Sequence, residues 1–138
     1  MSTVHIKRTL SAPVDRVWTA FTDPEALMAW FWPQSVGPKV TADVRPGGQF
    51  RIDATSAGFA ATGVYQEVSP PTRLVMTWQW DGDDAAASLV TIELTARGDD
   101  TDLDLRHERL ANDDERDKHA QGWHDCLDRL PGWLAASS

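Results

Sequence analysis

Histidines are the side chains of this sequence that come nearest to a metal-binding or catalytic pattern. His107-Glu108 begins like the zinc-protease motif, but that motif needs a second histidine three residues after the glutamate, where the chain has Ala111. The pair also falls in a segment that alternates as a strand, whereas the motif needs one helical face. His119 and His124 lie about 140° apart on a predicted helix, so they cannot share a ligand. The sequence therefore predicts no metal site.

The acidic clusters and the cysteine are also predicted to be structural. A calcium-binding loop that starts at Asp81 needs Glu at its twelfth position, where the chain has Ile92. The aspartates at 81–84 and 99–104 are therefore interpreted as solvated turns. Cys126 falls on the apolar face of a predicted helix, which favours a buried, unreactive thiol. The chain has no Gly-x-Ser-x-Gly motif, and we predict neither a catalytic nucleophile nor a cofactor.

Length and charge limit the classes of function. The chain has 138 residues, which predicts one domain over residues 1–138 with a sizeable core. Its formal net charge of -8 argues against binding to nucleic acid or to an anionic membrane surface, because both need cationic side chains. A single cysteine and the lack of a signal-like or membrane-spanning apolar run favour a cytoplasmic protein.

The elements that must position these side chains follow from periodicity. Alternation with a period of two predicts seven strands, and short turns between them predict an antiparallel meander. Helical spacing predicts two short helices after the first strand, the second capped by Asp23, and a long last helix capped by Asn112 with a kink or restart at Pro131-Gly132. The helix is the element large enough to cover the sheet, which makes the fold α+β. The strands are predicted at 4–10, 39–44, 49–55, 60–68, 73–80, 88–97 and 101–109.

Aromatic residues are the most informative part of the composition. The chain has seven Trp, and the phases of the strands and of the last helix predict an interior position for most of them. A filled core and a ligand cavity both fit this pattern. Trp30-Phe31-Trp32 cannot be buried on every side, so at least one of the three is expected at a pocket mouth or against a second subunit, as in a homodimer. Trp78, Trp80, Trp123 and Trp133 are predicted inside, Trp18 against the first helix, and Trp30 and Trp32 beside the mouth.

The ordered set of motifs resembles the SRPBCC superfamily, the helix-grip fold shared with START lipid-transfer domains and birch-pollen-allergen-like proteins. Within it, the chain is similar to the bacterial single-domain members of the family named for the activator of heat shock protein 90 ATPase. The resemblance implies a curved antiparallel sheet of about seven strands wrapped around the long C-terminal helix, with a deep pocket between them. It is carried by residues 11–18, 22–25, Trp30, 45–50, the spaced pattern at 63–71, the pattern at 74–80, and Gly122-Trp123 with Leu127 and Leu130.

Three functions are open at this point. The first is binding of a small hydrophobic or lipid-like molecule in the cavity, and the second is a co-chaperone or stress-related interaction. The third is a cyclase or hydrolase that uses His107 or Glu67 for proton transfer, which needs a group titrating near neutral pH in an apolar site. For the first, the predicted apolar wall and the two histidines that would orient the ligand are Tyr65, Leu74, Met76, Trp78, Trp80, Leu105, Trp123 and Leu127, with His107 and His119.

Overall fold

Within residues 2–83 and 86–136, which the computed structural model describes, one seven-stranded antiparallel sheet packs against a 24-residue helix. Two short helices follow the first strand, as predicted, and the α+β helix-grip architecture is confirmed. A short 3-10 turn, Gln34–Val36, precedes the second strand. The elements are β1 Ser2–Leu10, α1 Val14–Thr22, α2 Pro24–Trp30, β2 Pro38–Ala42, β3 Gln49–Ala54, β4 Phe59–Ser69, β5 Arg73–Trp80, β6 Ser88–Arg97, β7 Asp100–Leu110 and α3 Asp113–Ala136.

The sheet is an open antiparallel meander with the first strand added at one edge. Strands β2 to β7 follow one another in space as they do in the chain, and β1 pairs with β7 at the far edge. In that pair Ile6 lies opposite Leu105, so the inward phases of the two strands agree. The predicted turns lie between the strands. One of them, at 81–84, ends at Asp84, which lies outside the described residues.

Both predicted helix caps are present. The Asp23 carboxylate accepts the backbone N–H of Glu25 at 3.4 Å, with Pro24 as the first helical residue of α2. The Asn112 side chain accepts the N–H of Glu115 at 2.9 Å and begins α3. These caps satisfy N–H groups that have no partner inside the helix, so they determine where each helix starts.

Of the predicted kink or restart at Pro131, the restart is wrong, because α3 continues through this residue to Ala136. A proline inside a helix removes one backbone hydrogen bond and costs about 3 kcal/mol. Leu130 and Leu134, on either side of it, are both buried in the core, and each such burial contributes about 1.5–3 kcal/mol. Continued packing of the apolar stripe therefore offsets the lost bond. Among the described residues, no helix is both long and apolar enough to cross a bilayer.

Aliphatic side chains form one part of the core between the sheet and α3. Branched residues from β5, β6 and β7 belong to the same buried cluster as leucines from the C-terminal half of the helix. The side chains there with less than 2 % exposure are Leu74, Val90, Ile92, Leu103, Leu105, Leu127 and Leu130. This aliphatic part of the core therefore lies toward the C-terminal half of α3.

Gly63 is required where β4 crosses the aromatic interior. It lies opposite Phe50 in the β3–β4 register, and an added Cβ would overlap the Phe50 ring and the Thr77 carbonyl oxygen. Because one of these neighbours is backbone, neither strand can give way cheaply. We expect Gly63→Ala to lower the free energy of unfolding by at least about 2 kcal/mol, measured by urea denaturation.

Gly132→Ala is the matched control for this prediction. Gly132 lies in α3, and a Cβ added there meets nothing within 4 Å. Alanine is the better helix former by about 1 kcal/mol, so this variant should be as stable as the original chain or more stable. Equal destabilisation by the two substitutions would contradict the close approach at Gly63.

Candidate functional site

A pocket of ≈ 220 Å³ opens beneath the N-terminal half of α3 and is partly open to solvent. The end of β5 and the two residues that follow α2 form its other walls. Five of its lining residues are aromatic, and the charged groups are confined to the helix. The lining residues are Phe31, Trp32, Trp78, Trp80, Glu115, Lys118, His119, Gly122, Trp123 and Cys126.

The helix contributes a single stripe of residues to this pocket. The lining positions 115, 118, 119, 122, 123 and 126 recur at helical spacing, so they share one face of α3. Gly122 lies in the middle of this stripe, and an added Cβ there would meet nothing within 4 Å. Gly122 is solvent-exposed, so this position forms part of the open rim of the pocket.

Phe31 and Trp32 are positioned by hydrogen bonds to the end of α2. The Arg129 guanidinium on α3 donates to the carbonyl of Trp30 at 3.1 Å and to that of Phe31 at 2.7 Å. These carbonyls end a helix and have no partner within it, so a cation is favoured there. The clamp holds the Phe31 ring edge-to-face against Trp123, with centroids 5.7 Å apart.

The burial of two tryptophans, Trp30 and Trp133, differs from the prediction. Trp30, expected beside the mouth, is 1 % exposed, and its indole N–H donates to the Ala20 carbonyl at 2.9 Å. It joins α2 to α1 because its N–H finds a buried acceptor there. Trp32 does line the pocket. Trp133 is only partly buried, with the Arg16 guanidinium 4.5 Å from its ring centroid.

His107 lies at the centre of the interior with no exposed surface. The indole N–H of Trp123 donates to its Nδ1 at 3.0 Å, and its Nε2 lies 2.6 Å from the Ser88 hydroxyl. An indole N–H can only donate, so Nδ1 accepts and Nε2 carries the proton. Ser88 in turn donates to the Trp78 carbonyl at 3.0 Å. Every polar atom in this chain of bonds therefore has a partner.

This arrangement is the reverse of the one a nucleophilic serine requires. In a Ser-His pair the imidazole accepts the hydroxyl proton, whereas here Nε2–H donates to Ser88. Burial, with a smaller contribution from His119, lowers the pKa of His107 to about 3. His107 is thus neutral and fully bonded to protein groups. Both ring nitrogens of His107, which was predicted to orient a ligand, are bonded to protein groups, and the residue does not line the pocket.

His119 lines the pocket with its ring rather than with a free nitrogen. Its Nδ1 donates to the Glu115 carbonyl at 2.8 Å, one turn earlier in α3. Its Nε2 accepts the indole N–H of Trp80 at 3.3 Å. The two bonds require a neutral ring with the proton on Nδ1, which joins α3 to the end of β5 and closes one side of the pocket.

Glu67 is not in position for proton transfer in the pocket. Its carboxylate accepts from Arg73 at 3.2 Å and from the Ser69 hydroxyl at 3.0 Å, and the side chain is half exposed. The lining of the pocket does not include it. The structure therefore does not bring Glu67 and His107 together as an acid–base pair.

The structure brings together four of the ten predicted ligand contacts: Trp78, Trp80, His119 and Trp123 line the pocket. Leu74, Leu105 and Leu127 are packed in the aliphatic part of the core without exposed surface. Tyr65 and Met76 are also buried outside the lining, and burial raises the pKa of Tyr65 to about 12. The stripe spacing on the last helix could have indicated four of the missed residues. The lining residues not predicted are Phe31, Trp32, Glu115, Lys118, Gly122 and Cys126.

Comparisons with known proteins agree on one family. The family model described as Activator of Hsp90 ATPase homolog 1-like protein matches residues 11–135. CV1439 from Chromobacterium violaceum is 28% identical, with a TM-score of 0.80 over 96% of this chain and 96% of that chain. CalU16 from Micromonospora echinospora is 31% identical, with a TM-score of 0.78 over 96% and 75% of the two chains.

A third solved structure shows the fold alone. PFC0360w, an HSP90 activator from Plasmodium falciparum, is 23% identical, with a TM-score of 0.80 over 98% of this chain and 97% of that chain. No curated protein matches the chain.

Two tryptophans of the pocket differ in what their N–H groups do, which allows a matched test. Trp123→Phe leaves the buried Nδ1 of His107 without its donor, whereas Trp78→Phe removes an N–H that has no partner in the described structure. Both variants lose the same ring volume. We expect Trp123→Phe to be less stable than Trp78→Phe by about 1–3 kcal/mol in urea unfolding. Equal free energies of unfolding would contradict the hydrogen-bond chain.

The neutral state of His107 predicts acid sensitivity. Its pKa is about 3 in the folded chain and about 6.5 when unfolded, so between these values the unfolded state binds more protons. Stability therefore falls as the pH drops below about 6.5, by about 2 kcal/mol between pH 7 and pH 5. His107→Gln, which cannot titrate, should lack this part of the loss in urea unfolding.

If His107→Gln does not fold, an NMR titration of His107 in the unaltered chain tests the same prediction. The side-chain NMR signals of His107 in the unaltered chain should show no protonation down to pH 4. A titration near pH 6 would contradict the buried, neutral imidazole.

Proposed function

The chain belongs to the Activator of Hsp90 ATPase homolog 1-like protein family, and from this premise we propose that it binds a small, largely apolar molecule in the pocket beneath α3. Proteins of this fold family often bind hydrophobic ligands. The observation that carries the proposal is the ring-lined gap of ≈ 220 Å³ next to an otherwise packed interior. A pocket that is apolar, with few polar groups at its rim, is the usual form of a small-molecule site.

The volume limits the size of the ligand. A closed apolar cavity of about 150 Å³ holds benzene, and pockets for drug-sized molecules begin near about 300 Å³. At ≈ 220 Å³ this pocket lies between the two. It therefore suits a molecule of one or two rings, or of similar bulk, better than an extended lipid chain.

Gly122 supports the view that the gap is not a packing accident. Glycine inside a helix costs about 1 kcal/mol relative to alanine. A cavity next to it costs further dispersion contacts. An alanine at this exposed position would remove the first cost without a clash, because nothing lies within 4 Å of an added Cβ, whereas glycine keeps the rim of the pocket open. A ligand that fills the gap restores the lost contacts.

The affinity expected from burial is modest. A single ring that loses about 150–250 Å² of apolar surface gains about 4–6 kcal/mol. This corresponds to a dissociation constant between about 1 mM and about 40 μM. Titrations should therefore reach millimolar ligand.

Other functions have less support from this chain. The two residues predicted for acid–base catalysis are poorly placed for it, since His107 is neutral and bonded on both sides and Glu67 lies outside the pocket. A chaperone partner rests on the name of the family and on a likeness at 23% identity, and that likeness carries the fold only. Neither alternative accounts for the ring-lined pocket.

Toluene provides a test with a residue-specific readout. In ¹H–¹⁵N spectra each indole N–H gives its own signal, so each tryptophan can be followed separately. We expect toluene to shift the signals of Trp32, Trp80 and Trp123, which line the pocket, and to leave those of Trp18 and Trp133 in place. Uniform shifts, or none at millimolar toluene, would remove the proposal.

A pair of glycines in α3 supplies matched variants for this prediction. Gly122→Leu places a side chain in the pocket stripe, whereas Gly132→Leu adds the same side chain ten residues on, outside the pocket. An added Cβ is free of contacts at both sites. We expect Gly122→Leu to lose toluene binding without losing stability, and Gly132→Leu to keep it. Unchanged toluene affinity in Gly122→Leu would place the ligand elsewhere.

A further inference from the structure

We propose that the pocket beneath α3 selects a cationic ligand, an apolar molecule that carries a substituted ammonium group such as a quaternary amine. The inference rests on the proposed function, since it names the chemical class of the molecule bound in the same pocket. It is carried by the aromatic wall, by the use made of the indole N–H groups, and by the charges at the rim.

The wall is built from the side chains that attract cations most strongly. Four tryptophans and one phenylalanine line ≈ 220 Å³. The ring faces carry partial negative charge, and tryptophan gives the strongest cation–π attraction. The rings also lie close to one another: Trp78 is 5.7 Å from Trp80 and 5.8 Å from Trp123, between centroids. A bound ammonium would therefore be within reach of several rings at once.

The indole N–H groups of three of these tryptophans are not accessible to a ligand. The N–H of Trp123 is donated to His107, and that of Trp80 to His119. The N–H of Trp78 is buried, without exposed surface. His119 itself uses both ring nitrogens for protein partners. An anionic or acceptor-bearing ligand would thus lack these donors, whereas an ammonium group without N–H donors needs no acceptor.

Of the two charged side chains that line the pocket, the carboxylate of Glu115 is less closely paired than the ammonium group of Lys118. Lys118 lies 3.2 Å from the Asp114 carboxylate, which neutralises it. The Glu115 carboxylate lies 3.9 Å from His119 Nδ1 and 4.0 Å from Lys118 Nζ, both longer than the Lys118–Asp114 pair, and its side chain is partly exposed. His119 is neutral by its hydrogen bonds, and burial raises the pKa of Cys126 to about 12, so its thiol is uncharged.

The charge around the pocket is also negative on balance. A neighbouring cleft shares Trp78, Trp80, Glu115 and His119 with the pocket. Its charged lining consists of two carboxylates, Asp83 and Glu115, against one guanidinium, Arg109. The whole chain carries a formal net charge of -8, which raises the local concentration of cations and lowers that of anions.

Choline and 3,3-dimethylbutan-1-ol test the charge directly, because they differ only in the exchange of the quaternary nitrogen for carbon. Both are titrated at constant ionic strength while the indole N–H signals of Trp32, Trp80 and Trp123 are followed. We expect choline to bind at least about tenfold more tightly than the alcohol, as cation–π attraction in a partly desolvated site provides. Equal affinity, or tighter binding of the alcohol, overturns the inference.

Rim variants give effects of opposite sign. Glu115→Gln should weaken choline binding and Lys118→Gln should strengthen it, each by more than it changes binding of the alcohol. Asp125→Asn removes a carboxylate on the same helix outside the pocket, where it accepts from Gln121, and should leave choline affinity unchanged. Equal weakening of choline binding by Glu115→Gln and Asp125→Asn would show a general effect of net charge and would overturn the assignment to this pocket.

The outcomes separate this inference from the proposed function. If toluene binds and choline does not, the pocket holds apolar molecules without selecting cations, and the inference alone fails. If toluene, choline and the alcohol all leave the indole signals unmoved, both fail.

Discussion

An uncharged imidazole withdrawn from water joins the sheet of this protein to its long helix. His107 on β7 receives the N–H of Trp123 from α3 and donates to Ser88 on β6, which donates to the Trp78 carbonyl on β5. Leaving any one of these buried groups without a partner costs about 1–3 kcal/mol. Four elements are therefore held in one relative placement, and two of the bonded residues are walls of the pocket.

The pocket exists because α3 changes character along its length. Its C-terminal half presents leucines that fill the space above the aliphatic part of the sheet, as Leu127, Leu130 and Leu134 show by their burial. Its N-terminal half presents Gly122 and His119 to the same sheet. Since the sheet continues under both halves, the smaller and more polar stripe leaves space over Trp78 and Trp80. Arg129, in the C-terminal half, holds the end of α2 so that Phe31 closes the side of that space.

The sequence predicted the elements well because their signals are local. Alternation placed β5 and β6 at their observed bounds, and the side chains of Asp23 and Asn112 marked the starts of two helices. The phase of β7 also placed His107 on the inner face. Its partners could not be predicted, because Ser88 and Trp123 approach it from 19 and 16 residues away through the tertiary fold.

The incorrect predictions also arise because burial and hydrogen-bond partners depend on the tertiary fold. The sequence gives no reason to expect different exposure for Trp30 and Trp32. The burial of Trp30 depends on an acceptor that α1 supplies, the carbonyl of Ala20. Pro131 has a strong local preference to end a helix, and burial of the leucines around it outweighed that preference. The ten predicted contacts mixed pocket and core for a related reason. Strand phase separates inside from outside, but it cannot distinguish a side chain that meets a leucine from one that meets a gap.

The way polar groups are used limits how this pocket can recognise a molecule. His107 and His119 each have both nitrogens bonded within the protein, and the indoles of Trp80 and Trp123 have given their protons to those histidines. An enzyme that moves protons needs a group that can change its bonding during the reaction, and these groups are saturated. Recognition then depends on what remains, which is the shape of the gap, the ring surfaces and the charge of Glu115 and Lys118 at the rim. The same bonds that make the interior rigid therefore leave these four side chains without a free proton donor or acceptor facing the pocket.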